Sequence, residues 1–330
     1  MRKIKVKRVG KNRKNTKIDT RSNRIAEYSF RSVIEELKLK YVIKHIKLIL
    51  LILFVLLTIF ISLELPGIPT WQQMYAAVGL STNNETELHF TPKELTVSAI
   101  DVGQGDSFFI LINETSILID TGPEGNGEKI VNYLKLYGVE ELDYLIITHN
   151  HDDHNGSLRE LKKRIAIKNL LIPDETINIT GMTLNISGAT LEFLGPISKS
   201  KNLNNMSLII KLTYMEVSVL FTGDAEQDEE LSLLRVYPSE KLKADILKVS
   251  HHGSETSSVS AFIAAVSPRI ALISCGKDNE HGHPSQVTLD TLANVGAEIY
   301  RTDKDGTIVI TTDGEVDDLS VYVHICNELI

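Results

Sequence analysis

Thr148-His149-Asn150-His151-Asp152-Asp153-His154-Asn155-Gly156 is the stretch whose reading decides the fold. It follows an apolar run over residues 142–147 that has the character of a buried strand. Three imidazoles and two carboxylates fall within residues 149–154. Packed together, such groups resist burial unless a cation sits among them. Neutral imidazole and carboxylate are common ligands of divalent metals, so a metal site is the economical reading. The alternative is a solvated polar loop rich in His. The full H-x-H-x-D-H spacing, after a strand and before Gly156, favours the metal.

Further along, the same ending recurs. Leu145-Ile146-Ile147-Thr148 leads into His149, Val219-Leu220-Phe221-Thr222-Gly223 into Asp224, and Ile246-Leu247-Lys248-Val249-Ser250 into His251. Each apolar run closes on a hydroxyl residue and then a potential ligand. Neighbouring strands can present such groups at one edge of a sheet, and rigid elements hold a metal tightly. Around these runs, strands are expected at 96–102, 108–112, 116–120, 190–194, 270–274, 299–301 and 307–311. A hairpin is expected at 207–212 and 217–222. Helices are expected at 128–137, 157–164, 226–235, 258–266 and 286–295. Residues 173–203 carry few signals beyond the 190–194 strand. The alternation fits both α/β and α+β architectures.

The chain has 330 residues, enough for one large or two ordinary domains. Its net charge of −8 hides a division: residues 1–47 hold 16 Lys/Arg against 4 Asp/Glu, whereas the remainder is close to −20. Between the two lie 16 residues without a charge, 48–63. A spanning helix needs roughly 17–25 residues, which 48–65 reaches if Lys47 and Glu64 extend toward the interface. A cleaved signal peptide is the rival, but the basic region is long and no convincing cleavage site follows. The expected organisation is a basic cytoplasmic tail (1–47), a transmembrane helix (48–65), a linker (66–93) and a folded domain (94–330). The basic flank places that domain outside the cell membrane. The tail serves as a topology signal and a contact for anionic lipid, with nucleic-acid binding as its alternative reading. Cys275 and Cys326 form no C-x-x-C, so a thiolate metal site is not expected.

The motifs together resemble the metallo-β-lactamase superfamily and, within it, the hydrolase domain of ComEC-type DNA-uptake (competence) proteins. They are Ala99-Ile100-Asp101-Val102-Gly103-Gln104-Gly105-Asp106-Ser107, Leu118-Ile119-Asp120-Thr121-Gly122, the H-x-H-x-D-H string, Phe221-Thr222-Gly223-Asp224, Val249-Ser250-His251-His252-Gly253-Ser254 and His283-Pro284. The resemblance implies an αββα sandwich: two mixed sheets, helices outside, and a site for two divalent metals, Zn or Mn, at one edge. It implies that His149 and His151 bind one metal, that Asp153 and His154 bind the other, and that Asp224 bridges them. One of His251 and His252 completes the set. Asp120, Asp101, Asp106 and Asn205 support it from behind. Another His, which many relatives place between the string and the bridging Asp, has no counterpart here: no His lies between His154 and His251. His281 is read as incidental. Ser254, Ser257 and Ser258 lack a nucleophile elbow and are read as helix caps.

The reaction expected is hydrolysis by a metal-bound hydroxide. Asp153 or Asp224 orients it, and His252 or His283 protonates the leaving oxygen. A stand-alone, membrane-anchored phosphodiesterase or nuclease is the leading reading, with extracytoplasmic DNA as substrate. A domain near −20 repels a polyanion unless a basic strip offsets the charge, for which Lys199, Lys201, Lys211, Lys248 and Lys277 are candidates. The alternatives are a hydrolase of lactones, thioesters or other non-phosphate esters, and a non-catalytic metal-binding module.

Overall fold

The computed structural model describes residues 38–55, 58, 93–173 and 179–325. Two compact units divide the chain, Met1–Glu85 and Thr86–Ile330. In the first unit a helix covers residues 38–55, and its apolar side chains from Leu48 to Val55 are exposed. Among the described residues no helix is long and apolar enough to cross a membrane. The described helix begins in the basic segment and carries Lys38, Lys40, Lys44 and Lys47. Of the transmembrane helix expected over 48–65, only residues 48–55 and 58 are described. The tail up to residue 37, the linker up to residue 92, and Cys326 also lie outside the described residues.

The strands of the second unit, in chain order, are β1 (Leu95–Ala99), β2 (Phe108–Ile112), β3 (Thr115–Ile119), β4 (Glu141–Ile146), β5 (Ala166–Leu171), β6 (Thr183–Ile186), β7 (Ala189–Gly195), β8 (Ile209–Tyr214), β9 (Val217–Phe221), β10 (Ile246–Lys248), β11 (Ile270–Ile273), β12 (Glu298–Arg301), β13 (Thr307–Thr312) and β14 (Ser320–Ile325). They form two seven-stranded sheets, ordered β14-β13-β1-β2-β3-β4-β5 and β12-β11-β10-β9-β8-β7-β6. Both are mixed. In the first sheet β3, β4 and β5 run parallel and the other pairs antiparallel. In the second sheet β9 to β12 run parallel.

Strand side chains alternate between faces, and here both faces are covered. Phe108, Ile110 and Ile112 of β2 join Leu191, Phe193, Leu212, Val219 and Phe221 in the core between the sheets. Phe108 and Phe221 meet across it edge-on, with ring centroids 5.6 Å apart. Phe109 faces the other way, into a layer with Ile130 and Leu134 of α1 (Gly127–Leu136) and Leu161 of α2 (Leu158–Arg164). On the far side, Leu220, Leu247 and Ala271 pack with Leu233 of α3 (Gln227–Val236), Phe262 of α4 (Ser260–Val266) and Leu292 of α5 (Gln286–Asn294). This is the expected αββα sandwich.

Two features depart from the sequence reading. The three strands with matching ends do not share a sheet: β9 and β10 are parallel neighbours in the second, whereas β4 belongs to the first. Strands β5, β6 and β14 were not expected, and all three lie at sheet edges. Much of β5 (Ala166-Ile167-Lys168-Asn169-Leu170-Leu171) is exposed, so it lacks the apolar alternation that announces a central strand.

Candidate metal centre

The ends of β4, β9 and β10 converge on one cluster. After β4, a short helix, Asp152–Asn155, carries Asp153 and His154. Asp224 follows β9. After β10, the turn Ser250–Gly253 holds His251 and His252 at φ 47° and 52°. Such left-handed backbone is uncommon outside glycine and often marks a site.

Two ligand sets share Asp224: His149, His151 and Asp224, and Asp153, His154, Asp224 and His252; Asp106, Asp120 and His154 form a third group on the Nδ1 side of His154. The ligand atoms of each set lie within 4.8 Å of one another. Asp224 belongs to both. Its Oδ2 is 3.2 Å from His154 Nε2, 3.6 Å from His252 Nε2 and 3.8 Å from His149 Nε2. His149 Nε2 and His151 Nδ1 are 2.9 Å apart, and Asp153 Oδ2 is 3.3 Å from His252 Nε2. Ligands about 2 Å from a shared cation stand about 3–4 Å from each other, which matches this spacing. Between the two adjacent histidines, the second joins the cluster. His251 sits nearer the rim, with Nδ1 3.2 Å from Glu226 Oε1 and Nε2 3.9 Å from Asp224 Oδ2.

Partners behind the histidines set their tautomers. Asp120, fully buried, accepts the Thr148 N–H and hydroxyl, each at 2.7 Å, and the His154 Nδ1–H at 2.7 Å. With its proton given to Asp120, Thr148 Oγ1 is left to accept from His149 Nδ1 at 3.2 Å. His252 Nδ1 donates to the Ser274 carbonyl at 2.8 Å. Each ring thus turns its Nε2 toward Asp224. His154 Nε2 and His252 Nε2 are buried and make no hydrogen bond. Buried polar atoms are rarely left so, and a divalent cation satisfies both. The donor set fits a two-metal centre.

Burial and charge pull in opposite directions. Burial alone lowers a histidine pKa, but Asp224 and Asp106 hold His252 up at about 9, and Asp224 and Asp120 raise His154. Burial, with the charge of His154, pushes His149 down to about 3. Asp224 would be raised by burial, but the imidazoles of His154 and His252 keep it well below the carboxylate range. The cluster therefore attracts positive charge at the Nε2 atoms, where a proton and a metal compete.

The remaining expected site residues are placed as follows. Asp101 braces its own turn, accepting the Gly103 N–H at 3.1 Å. Asn205 is buried and accepts the Glu226 N–H at 2.8 Å, supporting the chain after Asp224. Ser207, two residues on, reaches further in: its Oγ accepts the Asp224 N–H at 2.9 Å and lies 3.3 Å from His149 Nδ1. His252, read as a possible proton donor, gives Nδ1 to the Ser274 carbonyl and turns Nε2 toward Asp153 and Asp224. His283 is half-buried, and burial with the neighbouring imidazoles lowers it to about 4. His281 is exposed and stacks on it at 5.5 Å.

Three readings need correction. Lys211 and Lys248 are 9% and 1% exposed, so neither contributes to a surface strip. Lys248 instead pairs with Asp106 at 2.7 Å. The serines do not cap α4: Glu230 accepts the Ser258 and Val259 N–H groups at 2.7 and 2.9 Å, while Ser257 Oγ bonds the Ser250 carbonyl at 3.0 Å. A lone Lys inside the apolar run Ile246–Val249 was the available signal for a buried ion pair.

Residues 100–185 match the metallo-beta-lactamase superfamily. The chain is 32% identical over 266 residues to ComE operon protein 3 of Bacillus subtilis (strain 168), covering 68% of this chain and 34% of that protein. It is 28% identical over 302 residues to competence protein ComA of Neisseria gonorrhoeae, covering 86% and 42%. It thus spans between a third and a half of the length of these relatives. The crystal structure of the metallo-beta-lactamase fold protein YhfI from Bacillus subtilis overlays with a TM-score of 0.45 at 13% identity, covering 64% of this chain and 98% of that one.

Proposed function

We propose that this chain, which carries a metallo-β-lactamase superfamily domain, is a metal-dependent hydrolase of phosphodiesters. The observation behind this reading is a single carboxylate oxygen, Asp224 Oδ2, that faces the nitrogens of both ligand sets. A pair of divalent ions, when bound there, would supply an activated water and offset the negative charge that develops on a phosphoryl group. His149, His151 and Asp224 would hold one ion, and Asp153, His154, Asp224 and His252 the other. Asp153 is partly exposed, so its carboxylate can orient the attacking water. Its pKa is held near 2: burial would raise it, but His252, 3.3 Å away, and the charge of His154 outweigh that. It therefore stays ionised at neutral pH. His251 and His283 are both depressed by burial and offer neutral imidazoles at the mouth to a phosphoryl or leaving-group oxygen.

DNA outside the cytoplasmic membrane is the substrate class we favour, with residues 48–65 as the anchor. The support is the similarity to competence proteins and the apolar run that follows a basic tail. A non-catalytic metal-binding module is the second reading. It is favoured by the first ligand set, which has two imidazoles and Asp224, with Ser207 rather than another His beside them.

The test is turnover by the full-length chain of bis(p-nitrophenyl) phosphate, a lactone and single-stranded DNA, with and without Zn²⁺ or Mn²⁺. Metal-dependent phosphodiester cleavage that Asp224→Ala abolishes is the expected result. Activity on the lactone alone would move the assignment to a non-phosphate ester, and tight metal binding without turnover would favour the second reading.

A further inference from the structure

We propose that Lys248 holds Asp224 as a one-oxygen bridge and so governs how tightly both metals are bound. The proposal rests on the two-metal centre described above, but not on the identity of the substrate.

β10 is buried along its whole length, and Lys248 is its last residue, 1% exposed. A lysine is almost never buried this deeply without a partner. Its ammonium donates to the Gly223 carbonyl at 2.7 Å and meets Asp106 Oδ2 at 2.7 Å. It also stands 3.8 Å from Asp224 Oδ1.

That third distance matters because the two oxygens of Asp224 have different surroundings. Oδ2 faces the imidazole Nε2 atoms. Oδ1 is buried and makes no hydrogen bond, and the cation beside it is Lys248. The carboxylate therefore lies between two positive poles, the metal positions in front and the ammonium behind. Attraction to the ammonium keeps Oδ1 turned back and would leave Oδ2 to serve both metals. Ser207 Oγ, holding the Asp224 N–H, prevents the backbone from following.

Asp106 ties this arrangement to the rest of the ligands. It is 1% exposed, and its N–H donates to the Asp153 carbonyl at 3.1 Å. Its Oδ1 lies 3.3 Å from His252 Nδ1 and its Oδ2 3.8 Å from His154 Nδ1. One buried ion pair thus touches Asp153, His154, His252 and Asp224. Lys248 is a positioning residue in this scheme, since it acts on the metals through Asp224.

Removing one partner of a buried pair leaves an uncompensated charge, which is costly whatever the pair does. The informative variant removes both: full-length Lys248→Met with Asp106→Asn. The readouts are thermal melting, competition titration with Zn²⁺ and Mn²⁺, and the absorption spectrum of the Co²⁺ form. We expect a folded variant whose affinity for both metal equivalents drops about 10–100-fold, as is usual for groups behind a ligand, with an altered Co²⁺ spectrum. Two metals bound with wild-type affinity and spectrum would overturn the proposal, as would a wild-type chain that binds no metal. If the double variant does not fold, Lys248→Gln with Asp106→Asn keeps a donor to Gly223 without either charge, and the same titration decides in the same way. Because no substrate enters the measurement, a wild type that binds two metals yet cleaves no phosphodiester counts against the proposed function alone.

Discussion

Asp120 lies on the Nδ1 side of His154, away from Asp224, and sets two ligands. It takes the His154 Nδ1–H directly and reaches His149 through the Thr148 hydroxyl. Asp120→Asn keeps the shape but puts an amide where one acceptor oxygen stood, so one of the three donors loses its partner. Metal affinity should fall about 10–100-fold by competition titration. The histidines also make a pH prediction. His252 holds its proton up to about 9 because Asp224 and Asp106 outweigh burial. A ligand must shed its proton to bind a metal, so affinity should rise with pH from neutral toward about 9. Calorimetric titration at pH 7 in buffers of different ionisation enthalpy should detect proton release on binding. Equal heats in all buffers would contradict the assigned protonation. The H-x-H-x-D-H ligands were legible because they are consecutive in the chain. Ser207 and Lys248 were not, because their relation to Asp224 exists only once β8, β9 and β10 are side by side.

At the scale of elements, turns matter as much as strands. The turn after β1 passes so close to the ligands that Gly105, at φ +150°, has no room for a side chain: a Cβ would strike the Asp153 carbonyl oxygen and Pro123. Gly105→Ala should lower stability by about 1–3 kcal/mol in a denaturant melt and loosen metal binding through Asp153. On the other sheet, burial pushes Glu229 and Glu230 of α3 up to about 7. An acid whose folded pKa exceeds its ordinary 4.5 stabilises the fold when protonated, and that contribution fades as pH rises from 4.5 through about 7. Glu229→Gln, which keeps an acceptor for the Ile197 N–H, should flatten this slope in urea melts across that range. Central strands were legible because both faces are apolar. The edge strands β5, β6 and β14 were not, since a strand with one neighbour needs little apolar surface.

The whole molecule poses a problem of charge. Everything after residue 47 sums to about −20, yet the favoured substrate is a polyanion. With Lys211 and Lys248 buried, the strip must come from elsewhere. α2, the helix that follows the metal-binding string, exposes Arg159, Lys162 and Lys163 at spacings i, i+3 and i+4, hence on one face. Replacing all three with Ala should weaken single-stranded DNA binding and reduce the salt slope by about 0.7 per lost phosphate contact. Hydrolysis of bis(p-nitrophenyl) phosphate, too small to reach α2, should be unchanged. An unaltered salt slope would remove α2 from the DNA path.

The sequence by itself determined the chemistry on offer. A run of ligands after an apolar strand, two more strands with matching ends, and both-face apolar periodicity specify a layered sandwich with a metal edge, because these signals are local in the chain. Tertiary structure alone decided how the pieces address one another. It placed β4 opposite β9 and β10 across two sheets, chose His252 over His251, and turned a lysine read as surface charge into the buried partner of Asp106. Those outcomes depend on which strands become neighbours, and a contact between residues distant in the chain leaves no period or spacing from which to read it.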